Sequence, residues 1–182
     1  MRHVVSAHYA RRDLQASIEA GLDALDLSPE TVAVDDLAQV DEFHIGGRAA
    51  TEAFMAHLPI KKDERWLDIG CGLGGAARFA ASNYGCRIMG LDITPDYIDV
   101  STTLCDWVGL GGAITLELGS ALHIPHTAEH FDGAYMLHVG MNIPDKARLF
   151  AEVYRVLKPG GTYGIYDITH TGVEGDLAYP VP

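Results

Sequence analysis

An abrupt change from apolar residues to glycines is the feature that most constrains the fold of this chain. Residues 65–77 read Arg-Trp-Leu-Asp-Ile-Gly-Cys-Gly-Leu-Gly-Gly-Ala-Ala, so four glycines fall within six residues. This composition is typical of a buried strand that turns sharply into a helix. Glycine is favoured in such a turn because side chains would block a ligand and because some positions need a positive φ. The free N–H groups at the helix start favour an anionic or polar ligand.

The carboxylate before the glycines narrows the choice of ligand. Gly70, Gly72 and Gly75 also fit the spacing of a dinucleotide-binding loop, so the glycines alone leave nicotinamide or flavin binding open. A structural turn without a ligand is a further alternative. Asp68 precedes the first glycine by two residues, where its charge would repel a pyrophosphate and attract an ammonium or sulfonium group.

Residues 68–74, Asp-Ile-Gly-Cys-Gly-Leu-Gly, resemble the first motif of class I S-adenosylmethionine-dependent methyltransferases, which is Asp-x-Gly-x-Gly-x-Gly. The resemblance covers about residues 41–170 and includes the family's Leu-x-Pro-Gly-Gly turn at residues 157–161. The pattern of motifs is similar to that of the small-molecule methyltransferases that act on sarcosine and quinone precursors. The resemblance implies a Rossmann-like, doubly wound α/β sheet, S-adenosylmethionine as cofactor and S-adenosylhomocysteine as product.

A second carboxylate follows the second predicted strand. Residues 87–92 form a short apolar run that ends in Asp92, 20 residues after Gly72. This offset places the carboxylate beside the end of the first strand, where it can accept hydrogen bonds from both ribose hydroxyls. The alternative is that Asp92 only caps a helix, but Thr94, Pro95 and Asp96 already supply a cap, a first-turn proline and a first-turn acid.

The resemblance implies further contacts with the cofactor. Ser120 stands where the family commonly has Asp, and its hydroxyl can accept the same hydrogen bond from the adenine amino group without the charge. The His-x-Gly-Gly segment at residues 44–47 is similar to one that helps to hold the methionine carboxylate, although a surface role for His44 is the alternative. The implied cofactor-binding residues are Tyr9, His44, Gly47, Asp68, Gly70, Cys71, Gly72, Asp92, Ile93, Ser120, Ala121 and Leu137.

His138 is the candidate catalytic residue. It follows the fourth predicted strand, residues 131–137, and ligands of open parallel sheets lie outside the carboxyl ends of the strands. The sulfonium already makes the methyl group electrophilic, so the protein needs mainly to align the acceptor. His138 titrates near neutral pH and would serve as a general base if the acceptor must lose a proton, but a structural role is equally consistent with the sequence.

Composition disfavours other classes of partner. The net charge of −12 disfavours nucleic acid, because clustered Lys and Arg supply most of that affinity. Three cysteines without a CxxC pair favour a reducing, cytoplasmic location. No stretch reaches the roughly 18 apolar residues of a membrane span, so we expect no membrane insertion. His123, His126 and His130 lack a completing Cys or carboxylate ligand, so we expect no metal.

The length of 182 residues predicts one domain, and the resemblance implies that it is a methyltransferase domain. We expect a helical cap over residues 1–60, the cofactor-binding core over 61–170 and a tail over 171–182. The cap should contain an amphipathic helix over residues 8–27 and a second helix opened by Ser28, Pro29 and Glu30. Before the last strand, we expect a helix whose apolar face is Ala147, Phe150, Val153, Tyr154 and Leu157.

The fifth predicted strand, residues 162–168, should lie at the border of the sheet. Only 14 residues follow Ile168, too few for the antiparallel strand pair that closes this edge in the family. The chain is then either a piece of a longer protein or a homo-oligomer that pairs through its bare edge. The leading function is methyl transfer to a small molecule, and the alternative is a catalytically inactive protein of the same fold that senses the cofactor or serves in assembly.

Overall fold

The computed structural model describes residues 14–42, 44–169 and 172. Its strands are β1 (Arg65–Ile69), β2 (Arg87–Asp92), β3 (Ile114–Leu118), β4 (Phe131–Leu137) and β5 (Leu157–Tyr166). They form one parallel sheet in the order β3-β2-β1-β4-β5. The α-helices of the described residues are α1 (Leu14–Asp23), α2 (Val34–Asp41), α3 (Gly47–Met55), α4 (Gly75–Tyr84), α5 (Pro95–Trp107) and α6 (Lys146–Val156), with a short 3-10 helix at Gly140–Asn142.

Helices cover both faces of the sheet. Trp66 of β1 packs in a buried cluster with residues of α3, α4 and α5, including Met55 and Ala80. The next residue, Leu67, faces the other side and joins a cluster with Leu149 and other residues of α6. This alternation follows from the two-residue period of a strand. The predicted doubly wound α/β fold is therefore confirmed.

Helices α1 and α2 form a cap beside the carboxyl ends of the strands. Ile18 and Leu37 are buried in a third cluster, together with Leu73 of the glycine turn and Leu104 of α5. Burial of these side chains removes apolar surface from water and holds the cap against the core. The predicted tyrosine contact from Tyr9 lies outside the described residues.

The prediction of a helix that starts at Ser28 was wrong. The N–H groups of Thr31 and Val32 both donate to the Ser28 carbonyl oxygen, at 3.0 and 2.9 Å, which makes an isolated turn. The Ser28 hydroxyl donates to the Glu30 carboxylate at 2.7 Å instead of capping a helix. Helix α2 begins six residues later, where two acidic residues occupy its first turn.

The apolar face predicted for α6 was right for Val153 but wrong for Phe150 and Tyr154. Tyr154 is 86% exposed and Phe150 is 45% exposed, whereas Leu149, Val153 and Val156 are buried against the sheet. Both sets of residues have helical spacing, so periodicity does not choose between them. Packing against β4 and β5 decides the rotation of the helix.

Strand β5 lies at one border of the described sheet, as predicted. Its pairing with β4 joins Leu157 to Phe131 and then shifts, so that Thr162 lies opposite Gly133. The residues between them, 158–161, which were predicted as a turn before the strand, therefore form an irregularity within it. The predicted tail, apart from Gly172, lies outside the described residues.

Candidate active site

A cavity of about 790 Å³ opens at the carboxyl ends of β1, β2 and β4. This volume lies within the range of about 300–1,000 Å³ typical of small-molecule sites. Gly47, which was predicted to bind the cofactor, does not line it, and its N–H donates to the His44 carbonyl oxygen at 3.0 Å in the turn before α3. The predicted site residues that do line the cavity are His44, Asp68, Gly70, Cys71, Gly72, Asp92, Ile93, Ser120, Ala121, Leu137 and His138.

The glycine turn between β1 and α4 forms part of the cavity wall and brings backbone close to any ligand. Gly70 has a φ of +74°, and a Cβ there would lie 2.4 Å from a methyl carbon of Val139. Gly72 has a φ of +53° and open space beside it. Both positions need glycine for conformational reasons, and at Gly70 there is also no room for a side chain.

Asp68 is buried at the end of β1 and presents an oxygen without a partner. The residue is 2% exposed, and its Oδ2 atom has no hydrogen-bond partner among the described residues. Burial raises the pKa of the carboxyl to about 8. A carboxyl group this deeply buried is costly when ionised, so this position is suited to a ligand that carries an ammonium or sulfonium group.

Asp92 is held by backbone amides at the end of β2. Its carboxylate accepts hydrogen bonds from the N–H of Gly72 at 3.0 Å and of Thr94 at 2.9 Å. Thr94, and not Asp92, occupies the N-cap position of α5. Burial raises the pKa of Asp92, and the two backbone hydrogen bonds oppose that shift. Each carboxylate oxygen keeps another lone pair, so the group can also accept hydrogen bonds from a diol.

Ser120 lines the cavity just beyond the end of β3. Its hydroxyl oxygen accepts a hydrogen bond from the N–H of Leu122 at 3.2 Å. This local bond leaves the hydroxyl proton and a second lone pair for other partners. A hydroxyl group at this position is therefore able to form a hydrogen bond with a ligand in the cavity.

His138 is held in a strained conformation directly after β4. Its φ is +53°, which is unusual for a residue with a side chain, and its N–H donates to the Tyr166 carbonyl oxygen at 2.8 Å. Burial, and then the neighbouring His44, lower the pKa of the imidazole. The buried Nε2 atom has no hydrogen-bond partner among the described residues. The lowered pKa favours the neutral form of the ring, which has one nitrogen free to accept a proton.

The ring of His126 lies beside those of His130 and Phe131. The ring centroids of His126 and His130 are 5.0 Å apart, and His126 Nε2 is 3.3 Å from a carboxylate oxygen of Glu117. Within the described residues, no group of three or more His, Cys, Asp or Glu side chains is placed to hold a metal ion. The same part of the chain contains no helix that is both long and apolar enough to span a bilayer.

Comparison with known proteins decides the family. A protein-family model described as a methyltransferase domain matches residues 67–165, which is more than half of the chain. The chain belongs to the class I methyltransferase family. The match begins in β1 and ends in β5, so it includes the glycine turn, Asp92 and His138. The family resemblance predicted from the sequence is confirmed.

Individual methyltransferases show the same relationship over part of their length. Methyltransferase GfsG of Streptomyces halstedii is 28% identical over 153 residues, which are 84% of this chain and 53% of GfsG. A sterol 24-C-methyltransferase of Neurospora crassa, erg-4, is 37% identical over 112 residues, which are 62% of this chain and 30% of that protein. The chain spans about half, or less, of the length of these curated relatives.

A solved methyltransferase structure gives a similar result. Phosphoethanolamine N-methyltransferase 2 of Haemonchus contortus, in complex with S-adenosyl-L-methionine, has 28% sequence identity and a TM-score of 0.65. The alignment covers 81% of this chain and 34% of that protein. This neighbour shares the fold that surrounds the cavity.

The sequence did not predict one charged pair beside the cavity. Arg78 of α4 and Asp41 of α2 form an ion pair in which both side chains are 0% exposed. Burial raises the pKa of Asp41 to about 6, and Arg78 opposes that shift. A single arginine within the otherwise apolar run of residues 76–81 was the available signal, because such a charge needs a buried partner.

The loop after β4 was missed as well. Met141, Asn142, Ile143 and Pro144 line the cavity beyond His138. Asp167 holds this loop by accepting a hydrogen bond from the Met141 N–H at 2.8 Å, and the Lys146 ammonium donates to the Gly140 carbonyl oxygen at 2.6 Å. These contacts could not be predicted from the sequence because they join residues from separate elements.

Proposed function

We propose that this chain binds S-adenosylmethionine in the cavity and transfers its methyl group to a nitrogen, oxygen or carbon atom of a small molecule. The observation that carries the proposal is the buried Asp68 carboxyl beside the glycine turn, whose Oδ2 atom has no hydrogen-bond partner among the described residues. It supplies a negative charge for a cationic ligand at the point where backbone groups are most accessible. When bound, the cofactor supplies an electrophilic methyl group on a sulfonium.

The cavity wall offers a partner for each part of this cofactor. Asp68 would accept from the ammonium group, and Asp92 would accept from the ribose hydroxyls. Ser120, Ile93, Ala121 and Leu137 would surround the adenine, and His44 would contact the carboxylate. Gly70, Cys71 and Gly72 would lie against the amino-acid portion. Tyr9 stays a proposal based on family resemblance alone.

His138 and the following loop would handle the acceptor. The neutral imidazole with its unpartnered Nε2 atom is suited to take a proton from an acceptor that must lose one. Val139, Met141, Ile143 and Pro144 supply an apolar wall that excludes water and orients the acceptor. An acceptor with a lone pair already free would need only this positioning.

The relatives support a small-molecule acceptor, because one of them is named for sterols and a structural neighbour for phosphoethanolamine. The net charge of −12 supports a protein that does not bind nucleic acid. Three free, buried cysteines support a reducing, cytoplasmic location. The border position of β5 supports a homo-oligomer that pairs through this edge.

Calorimetry followed by a turnover assay would test the function. S-adenosylmethionine and S-adenosylhomocysteine should bind, and NAD should not. A panel of amines, phenols and quinone precursors should then yield a methylated product, with loss of product in His138→Gln if the acceptor must be deprotonated. Tighter binding of NAD would refute the cofactor assignment, and cofactor binding without any product would favour the sensor alternative.

A further inference from the structure

A short chain of buried hydrogen bonds lies behind His44. His44 Nε2 and Thr51 Oγ1 are 3.0 Å apart, and the Thr51 hydroxyl donates to Glu42 Oε2 at 2.8 Å. Thr51 is 0% exposed, and the Glu42 side chain is 1% exposed. Arg48 Nε lies 2.9 Å from the other Glu42 oxygen, so the buried carboxylate is paired as an ion.

Donor and acceptor roles along this chain fix the state of the imidazole. A hydroxyl group has one proton to donate, and Thr51 gives it to Glu42, because an ionised carboxylate only accepts. Thr51 can then only accept from His44, so His44 Nε2 must carry a proton. The other ring nitrogen, Nδ1, makes only a long contact of 3.4 Å with the Ile45 carbonyl oxygen among the described residues. Nδ1 is therefore available to a ligand.

The charges on the cavity wall indicate what that ligand group is. Four carboxyl groups line the cavity, those of Asp41, Glu42, Asp68 and Asp92, and its described wall includes no Lys or Arg. A carboxylate on a ligand would meet positive charge only at an imidazole. A doubly protonated His44 would donate through Nδ1, while the Glu42 carboxylate, 3.8 Å from Nε2, would balance the charge.

We propose that Thr51 and Glu42 are positioning residues that hold His44 with its Nε2–H directed at Thr51, so that Nδ1–H binds the carboxylate at the amino-acid end of the cofactor. This inference rests on the proposed function, because it names how one group of the same cofactor is recognised. It makes the Thr51 hydroxyl, which lies behind the cavity wall, a determinant of specificity for ligands that carry a carboxylate.

A matched pair of substitutions tests the role of the hydroxyl. Thr51→Val keeps the shape and removes the hydroxyl, whereas Thr51→Ser keeps the hydroxyl. The probes are S-adenosylhomocysteine and its decarboxylated form, S-adenosyl-3-thiopropylamine, which retains the amine. Calorimetry should show that Thr51→Val lowers the affinity for S-adenosylhomocysteine about tenfold. The same variant should bind the decarboxylated probe as tightly as the unsubstituted protein does, and Thr51→Ser should bind both probes normally.

The inference would be overturned if Thr51→Val bound both probes more weakly by the same factor, or if it bound S-adenosylhomocysteine as tightly as the unsubstituted protein does. Nitrogen-15 NMR of the ligand-free protein provides a separate readout, with His44→Gln used to assign the signals. The neutral ring should carry its proton on Nε2 in the unsubstituted protein and in Thr51→Ser, and this preference should be lost in Thr51→Val. A ring protonated on Nδ1 alone would overturn it. If neither probe binds the unsubstituted protein, the proposed function fails, and the NMR result still decides the role of Thr51.

Discussion

Replacement of Asp68 by Asn should abolish a proton release that accompanies cofactor binding. With a pKa of about 8, the carboxyl is protonated in the ligand-free protein at pH 6.5. A cation at about 4 Å, at an effective dielectric constant of about 20, contributes roughly 4 kcal/mol, which lowers a pKa by roughly 3 units. Binding at pH 6.5 should therefore convert the carboxyl to its ionised form and release close to one proton.

Ionising the carboxyl at pH 6.5 costs about 2 kcal/mol of that gain, so the net contribution of Asp68 to affinity is about 2 kcal/mol, or roughly 30-fold. Calorimetry in two buffers of different ionisation enthalpy measures the number of protons released. The affinity of the unsubstituted protein should rise as the pH rises from about 6 to about 8, and the affinity of Asp68→Asn should change less. Release of the same number of protons by Asp68→Asn would refute the assignment of the proton to this carboxyl.

The same substitution has an effect on stability without ligand. Between about pH 4 and pH 8 the carboxyl is protonated in the folded chain and ionised in the unfolded chain, so the free energy of unfolding falls as the pH rises through this window. The difference of about 4 pKa units sets an upper limit of about 5 kcal/mol. Urea unfolding of Asp68→Asn should show a flatter pH dependence, and a slope equal to that of the unsubstituted protein would contradict the raised pKa.

Three other substitutions address different parts of the site. Asp92→Ala should weaken S-adenosylhomocysteine binding by roughly 2 to 4 kcal/mol, because charge-assisted bonds to two hydroxyls are lost, and unchanged affinity in calorimetry would exclude the ribose role. Arg78→Met should lower the free energy of unfolding by about 3–5 kcal/mol because it leaves the Asp41 carboxylate buried alone. Urea unfolding should show that adding Asp41→Leu recovers most of the lost stability. Gly70→Ala should lower the free energy of unfolding by at least about 1–2 kcal/mol through its positive φ alone, and the clash of the new methyl group with Val139 should add to this loss. Adding Val139→Ala should remove only the clash, so full recovery of stability in the double variant would show that the positive φ costs nothing here.

Part of the cavity could be predicted because it depends on local sequence. Asp68 and Asp92 each end a strand, and the carboxyl ends of parallel strands meet at one edge of the sheet. The glycines of the turn indicate a backbone with positive φ, which residues with a side chain adopt only at a steric cost. These patterns need no knowledge of distant residues, so they placed the strands, the turn and the two carboxyl groups Asp68 and Asp92 at the cavity.

The tertiary structure decided the features that depend on pairs of distant residues. Helical spacing allowed two apolar faces for α6, and only packing on the sheet selected the one with Leu149. The turn signal at Ser28 was compatible with a helix start, but its hydroxyl found the Glu30 carboxylate instead. The N–H of His138, a residue with a positive φ, donates to the Tyr166 carbonyl oxygen of β5, and the partner of Arg78 lies 37 residues away in the chain. Such contacts are set by how the elements pack, because burial makes an unpaired charge or polar group costly only once the chain has folded around it.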